Sequence, residues 1–241
     1  MRERQELFSE YLTRHLVNAG GTSRSHERRK SILFHNYGRI LPKDKSGRIM
    51  EIGPGFGELL ELLRGELGYQ QVTAVDISEE VVENCNKLFP GSTIHVRDTC
   101  EYFAAHPGEF DCVFMLHVLE HIPKVETIHL LEMIRNALAP EGRLVVEVPN
   151  MSNPFTGPAM RYGDFTHEVG YTELSLAYVL KMAGFSKVEL SGVKLPLDRF
   201  TRVLQRMVYV AVNLALYPIY SAYRVPGKPI LSVALYGIAA K

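Results

Sequence analysis

The chain carries no excess charge of either sign: 27 lysines and arginines balance 27 aspartates and glutamates over 241 residues. No global field draws it to nucleic acid or to an anionic membrane, and no nucleic-acid partner is expected. Cysteine is scarce. Cys85, Cys100 and Cys112 match neither a zinc-site spacing nor a Cys-x-x-Cys redox pair, and an odd count argues against a disulfide framework. Reduced thiols in a cytoplasmic protein are the expectation. Met1 to Glu10 alternates charge without an apolar stretch, unlike a secretory signal. Internal repeats and low-complexity tracts are missing as well.

What is present alternates. Leu7, Phe8, Tyr11, Leu12, His15 and Leu16 recur at helical spacing, and after Asn18–Gly21 the pattern resumes over Ser25–Leu41. Pro42 to Gly47 then links this N-terminal helical cap, residues 1–47, to a main domain expected over 48–193 and 229–241. Strands are predicted at Arg48–Ile52, Gln71–Val75, Thr93–Val96, Phe110–Leu116, Arg143–Val148, Lys187–Ser191 and Ile230–Ala239. Helices are predicted at Glu58–Arg64, Glu79–Leu88, Val125–Leu138 and Glu173–Met182. Strand–helix alternation of this kind marks an α/β fold with a mostly parallel, Rossmann-like sheet. Two stretches fall outside the alternation, Asn150–Tyr171 and Lys194–Lys228, and both leave the carboxyl edge where ligands bind in open α/β sheets.

The most informative residues are Glu51-Ile52-Gly53-Pro54-Gly55-Phe56-Gly57, between a strand and a helix. Glycines there turn the chain sharply and bring backbone close to a ligand. The third glycine comes one residue too early for a dinucleotide fingerprint, and the Gly-Lys-Ser/Thr of a P-loop is missing. Glu51 and Glu58 flank the turn, poor company for a diphosphate but suited to a ligand bearing an ammonium and a sulfonium. Asp76 ends the second strand about 20 residues on, where a carboxylate accepts from both ribose hydroxyls; capping the next helix is its other reading. Asp98 has the same two readings, an adenine contact or a cap.

The turn Glu51–Gly57, Asp76, Asp98, the strand Phe110–Leu116 running into His117-Val118-Leu119-Glu120-His121, and Leu138-Ala139-Pro140-Glu141-Gly142-Arg143 together resemble class I S-adenosylmethionine methyltransferases. The match spans roughly residues 30 to 192 in the family's order. It implies a seven-stranded sheet with a reversed last strand and S-adenosyl-L-methionine as cofactor. It also implies cofactor contacts at Glu51, Gly53, Gly55, Gly57, Asp76, Ile77, Asp98, Thr99, Leu116 and His117. Asp164-Phe165-Thr166-His167, Tyr171-Thr172-Glu173-Leu174 and Ala183-Gly184-Phe185 are similar to the subgroup found with bacterial glycan and lipid-linked sugar biosynthesis, which implies methylation of a sugar hydroxyl. A quinone-like or polyketide hydroxyl, an amine, and a non-catalytic cofactor-binding module are the alternative readings.

Methyl transfer to a hydroxyl needs alignment away from water and a base for the poorly acidic proton. His167, Asp164 and His121 are the expected catalytic residues, with Glu120 nearby; His121 also admits an architectural role. Arg161, Tyr162 and Tyr37 are expected to bind the acceptor, with His26, Arg28 and Arg29 over the cofactor, although the charge run Arg24–Lys30 also reads as a solvated face. No metal is expected, because the acidic residues show no ligand spacing.

The most apolar stretch, Met207–Tyr220, lies in an expected insert over 194–228. It falls short of the roughly 20 apolar residues of a spanning helix, and Asn213 and Pro218 interrupt it. A buried lid helix, a membrane-surface or lipid-acceptor contact, and a homodimer interface are its three readings.

Overall fold

The computed structural model describes residues 8, 12, 13, 23–223 and 230–241. Most of the first predicted helix lies outside these residues. The chain begins in earnest with α1 (Ser23–Tyr37), which ends at Gly38 rather than running to Leu41.

Seven strands follow: β1 (Ile49–Ile52), β2 (Val72–Asp76), β3 (Thr93–His95), β4 (Phe110–Leu116), β5 (Leu138–Pro149), β6 (Lys187–Gly192) and β7 (Ala234–Ala240). Their order is β3-β2-β1-β4-β5-β7-β6, with β7 antiparallel to both neighbours. The reversed last strand is as expected, shifted from the predicted Ile230–Ala239 to Ala234–Ala240. Strand order turns back between β1 and β4, and the crevice at such a switch point is where open α/β sheets bind ligands.

The helices are α2 (Glu58–Leu60, continuing as a π-helical Glu61–Glu66), α3 (Glu79–Leu88), α4 (Thr99–Ala104), α5 (Lys124–Ala137), α6 (Gly157–Gly163), α7 (Glu173–Met182) and α8 (Phe200–Ala222). The short α4 and α6 escape periodicity because neither is long enough to show a stripe. On one face of the sheet, Met50, Met115, Leu131 and Leu176 pack into a buried cluster. On the other, Leu33 and Tyr37 of α1 join Ile49, Leu60 and Phe114. The described part of the N-terminal segment is thus built into the core. Burying a side chain of this size contributes about 1.5–3 kcal/mol.

The apolar insert corrects one reading. It is a helix of 23 residues that continues through Pro218, yet only Arg202 on it is buried. Phe200, Leu204, Met207, Val208, Leu214 and Ile219 stay exposed, so α8 is not a buried lid. Among the described residues no helix is long and apolar enough to cross a membrane.

Candidate active site

All four residues of β1 are buried, including Glu51. The turn that follows puts Gly53 at φ +69° and Gly55 at φ +55°, where L side chains are strained. A Cβ on Gly53 would stand 2.5 Å from Val118 Cγ2, whereas one on Gly55 would meet nothing within 4 Å. Both glycines line a cleft with Asp76, Ile77, Thr99 and His117, and Leu116 joins Gly53 and Gly55 on its neighbouring lobe. Gly57 is different. It begins α2 at φ +83°, and its Cβ would press on Leu88 and Cys85 of α3. Close packing of α2 against α3 is thus one reason for a glycine there.

Glu51 keeps one carboxylate oxygen, Oε2, buried and without a hydrogen-bond partner among the described residues. Burial, and then the nearby Glu58, push its carboxyl up to about 8. An ammonium group is the partner such a carboxyl lacks. Arrival of the cofactor ammonium should therefore expel a proton from Glu51 near pH 7. Calorimetric titration with S-adenosylmethionine in two buffers of different ionisation enthalpy should report release of about one proton, and none from Glu51→Gln. Equal release from both proteins would remove Glu51 from the ammonium site.

Asp76 sits at the end of β2, and burial lifts its carboxyl to about 6 against hydrogen bonds from the Ser78 and Ile77 amides. Its Oδ1 accepts from Ser78 N at 2.8 Å, which closes the turn and fixes the carboxylate at the cleft wall. Asp98 makes the cap: Oδ1 accepts from Cys100 N at 2.7 Å and Glu101 N at 3.2 Å at the start of α4. It also lines the outer cleft beside Thr99. The cap reading holds, and the cleft position leaves the adenine contact as an expectation.

Beneath the turn lies a charge cluster centred on Glu147, a residue not anticipated as functional. It is buried in β5 and bonded to His117 Nε2 at 2.8 Å, Arg29 Nη1 at 3.2 Å and the Tyr37 hydroxyl. Burial raises its pKa, but Arg29, His117 and Tyr37 outweigh that and hold the carboxyl down at about 2. His117 adopts φ +56° and reaches both Glu147 and, through Nδ1 at 3.2 Å, Glu120. Burial opposes charge on the ring, yet the two carboxylates lift it to about 9. Tyr37 is in the core, edge-on to Phe114 and Tyr236, which corrects its expected acceptor role. The signal for this cluster was a lone glutamate inside the apolar run Leu144–Val148, since an ionised side chain in a buried strand needs partners.

The run Arg24–Lys30 is not simply a solvated face. Lys30 is buried and paired with Glu27, Glu61 and Glu66, and His26 bonds Glu61 at 2.6 Å. His26 and Arg29 line the cleft; Arg28 is exposed.

On the acceptor side, the fold gathers Glu120, His121 and His167 at the cleft. Glu168 N and Val169 N donate to the Glu120 carbonyl at 2.7 and 3.0 Å, pinning the end of the 164–168 loop onto the 3-10 turn Leu119–His121 that follows β4. The His121 and His167 rings lie 4.7 Å apart. His167 Nδ1 meets the Met160 carbonyl at 2.6 Å; a carbonyl only accepts, so Nδ1 carries the hydrogen and Nε2 the lone pair. His121 Nδ1 faces the Thr166 carbonyl at 3.2 Å and Oγ1 at 2.9 Å, and burial pulls its pKa down. Asp164 is tied to His121 through Thr166, whose Oγ1 donates to Oδ1 at 2.6 Å. Its Oδ2 is 3.9 Å from His167 Nε2, an ion-pair neighbourhood and not a hydrogen bond.

Arg161 takes on a second role. Its guanidinium donates to the carbonyls of His167 at 2.5 Å and Glu168 at 3.0 Å, so it holds the loop while also lining the outer cleft. Tyr162 is exposed at the wide outer cleft.

Comparison with known proteins agrees with this geometry. A family model described as a methyltransferase domain matches residues 25–190. Trans-aconitate 2-methyltransferase of Rhodopseudomonas palustris is 32% identical over 117 residues, covering 47% of this chain and 43% of that protein. A ubiquinone biosynthesis O-methyltransferase of Xanthomonas campestris pv. campestris is 30% identical over 107 residues, 43% of each. The chain thus spans less than half the length of these relatives. Among solved structures, an S-adenosylmethionine-dependent methyltransferase from Archaeoglobus fulgidus superposes with TM-score 0.65 at 24% identity, covering 90% of this chain and 97% of that one. A phosphoethanolamine N-methyltransferase from Haemonchus contortus, in complex with S-adenosyl-L-methionine, gives TM-score 0.62 at 19% identity, covering 97% and 60%. With a glycine turn and buried carboxyls at the edge of a seven-stranded sheet of this order, and a family model over residues 25–190, the chain belongs to the methyltransferase-domain family, whose members use S-adenosylmethionine.

Proposed function

We propose that the chain methylates a hydroxyl oxygen of a small, polar acceptor, with a saccharide as the foremost class. The observation that carries this is the Glu120–His121–His167 cluster, set in the same cleft as Gly53 and Gly55. Bound S-adenosylmethionine supplies an electrophilic methyl on its sulfonium. The chain's own work is to hold the hydroxyl in line, shelter it and ease removal of its proton. His167 suits the last task, since the Met160 carbonyl fixes its tautomer and leaves Nε2 with a lone pair. The outer cleft, lined by Arg97, Asp98, Glu126, Tyr162, Asp164 and Glu168, offers polar contacts to an acceptor rich in hydroxyls.

A phenolic acceptor is the second reading, favoured by the relatives named for ubiquinone biosynthesis. Those relatives lend no support to the glycan subgroup. A product-mass screen with sugar nucleotides, lipid-linked saccharides and catechol-type phenols decides between them, and methylation of phenols alone would end the saccharide reading. His167→Ala should leave cofactor affinity unchanged and lower turnover by about 100-fold or more. Normal turnover in that variant would remove the cluster from the chemistry.

A further inference from the structure

We propose that Glu120, His121 and His167 form a binding site for a first-row divalent cation at the acceptor end of the cleft. One ligand atom from each lies within 4.8 Å of the other two, a spread that a single ion can bridge. Two imidazoles and a carboxylate are the donor set of cations such as Zn²⁺, Mn²⁺, Fe²⁺ and Co²⁺, whereas Ca²⁺ and Mg²⁺ prefer oxygen alone.

Two details beyond proximity point to a ligand. Glu120 is 2% exposed, and its Oε2 is buried with no hydrogen-bond partner among the described residues. Leaving such an atom unanswered costs about 1–3 kcal/mol, more for a charged group, and a cation would answer it. Both histidines, moreover, turn Nδ1 to a backbone carbonyl, that of Thr166 for His121 and that of Met160 for His167. That pattern orients ligating histidines in metal sites, where the outer carbonyl fixes the tautomer that presents Nε2. Asp164 Oδ2 is 3.9 Å from His167 Nε2 and borders the cluster without belonging to it.

The chain holds an internal contrast. Glu27, Glu61 and Glu66 also come within ligating distance of one another. There the Lys30 ammonium already occupies the centre, at 2.7, 2.7 and 2.6 Å from the three carboxylates. At Glu120 the cation among the described residues is the His117 ring, 3.2 Å from Oε1, and it leaves Oε2 without a hydrogen-bond partner among those residues.

The inference rests on the proposed hydroxyl acceptor and deepens it. An acceptor oxygen bound to the ion loses its proton more readily: the O–H bond breaks, the proton passes to solvent water, and the electron pair remains on oxygen. His167 then serves by holding the ion.

Chelator-treated protein titrated with Co²⁺ alone should bind one equivalent per chain and develop visible absorption bands from nitrogen and oxygen ligation. Glu120→Gln and His167→Ala should each weaken binding by about tenfold or more, with circular dichroism confirming that both fold. Glu27→Gln should bind Co²⁺ like the parent. Absent bands, or equal affinity in the parent and both cluster variants, would overturn the site. So would loss of binding in Glu27→Gln alone. S-adenosylmethionine calorimetry on the same samples separates the two ideas: intact cofactor binding without Co²⁺ binding sinks the metal site and leaves the methyltransferase reading in place.

Discussion

Replacing Glu147 with alanine should destabilise the fold by about 3–5 kcal/mol, the cost of breaking a buried ion pair from one side. Glu147 is 1% exposed and is the common acceptor for Arg29, His117 and Tyr37, which arrive from α1 and from the end of β4. Without it, two cationic side chains face each other across an apolar strand. Urea denaturation at neutral pH measures the loss, and a change below about 1 kcal/mol, typical of exposed pairs, would show that the cluster is solvated. The pH dependence has a definite sign. The folded-state carboxyl titrates at about 2, below its ordinary 4.5. Its stabilisation is present in full above the ordinary value and is lost as pH falls through the folded one. The acid limb of the stability curve should therefore be shallower in Glu147→Ala than in the parent.

What could be read without coordinates was local. The strand–helix alternation and the glycine turn announce themselves through residue period and spacing, and Asp76 follows from its distance to that turn. Three-dimensional closure hid the rest. His121 and Thr166 are 45 residues apart, and they meet because backbone amides of the 164–168 loop and beyond dock on the Glu120 carbonyl. A search along the linear sequence passes over such a set. Arg161 and Tyr37 look like surface recognition groups in the sequence, and only their partners reveal one as a loop tether and the other as core. Gly57 belongs to the same lesson, since its spacing fits a ligand turn while its missing Cβ makes room for α3. The apolar stripe of α8 shows the limit from the other side: hydropathy locates it correctly, but not that it would stay exposed.

Asp76→Ala should reduce affinity for S-adenosylmethionine by about 100-fold or more. Two ribose hydroxyls donating to one carboxylate make charge-assisted bonds of about 1.5–3 kcal/mol each, so losing both exceeds two decades even after partial replacement by water. The fold should tolerate the change. Burial already holds this carboxyl up at about 6, so its charge is an expense to the ligand-free protein that alanine removes. The loss on the other side is the turn's amide contacts, from Ile77 and from Ser78 N to Oδ1. Asp76→Asn retains an acceptor for those amides and separates the two contributions: its melting temperature should match the parent while its affinity stays weakened. S-adenosylhomocysteine, with the same ribose, should suffer an equal loss. Binding by the parent should also weaken as pH drops through about 6, where the carboxyl takes up a proton. Undiminished binding by Asp76→Ala would mean that the carboxylate only closes its turn, and the ribose would have to be held by another group on the cleft wall.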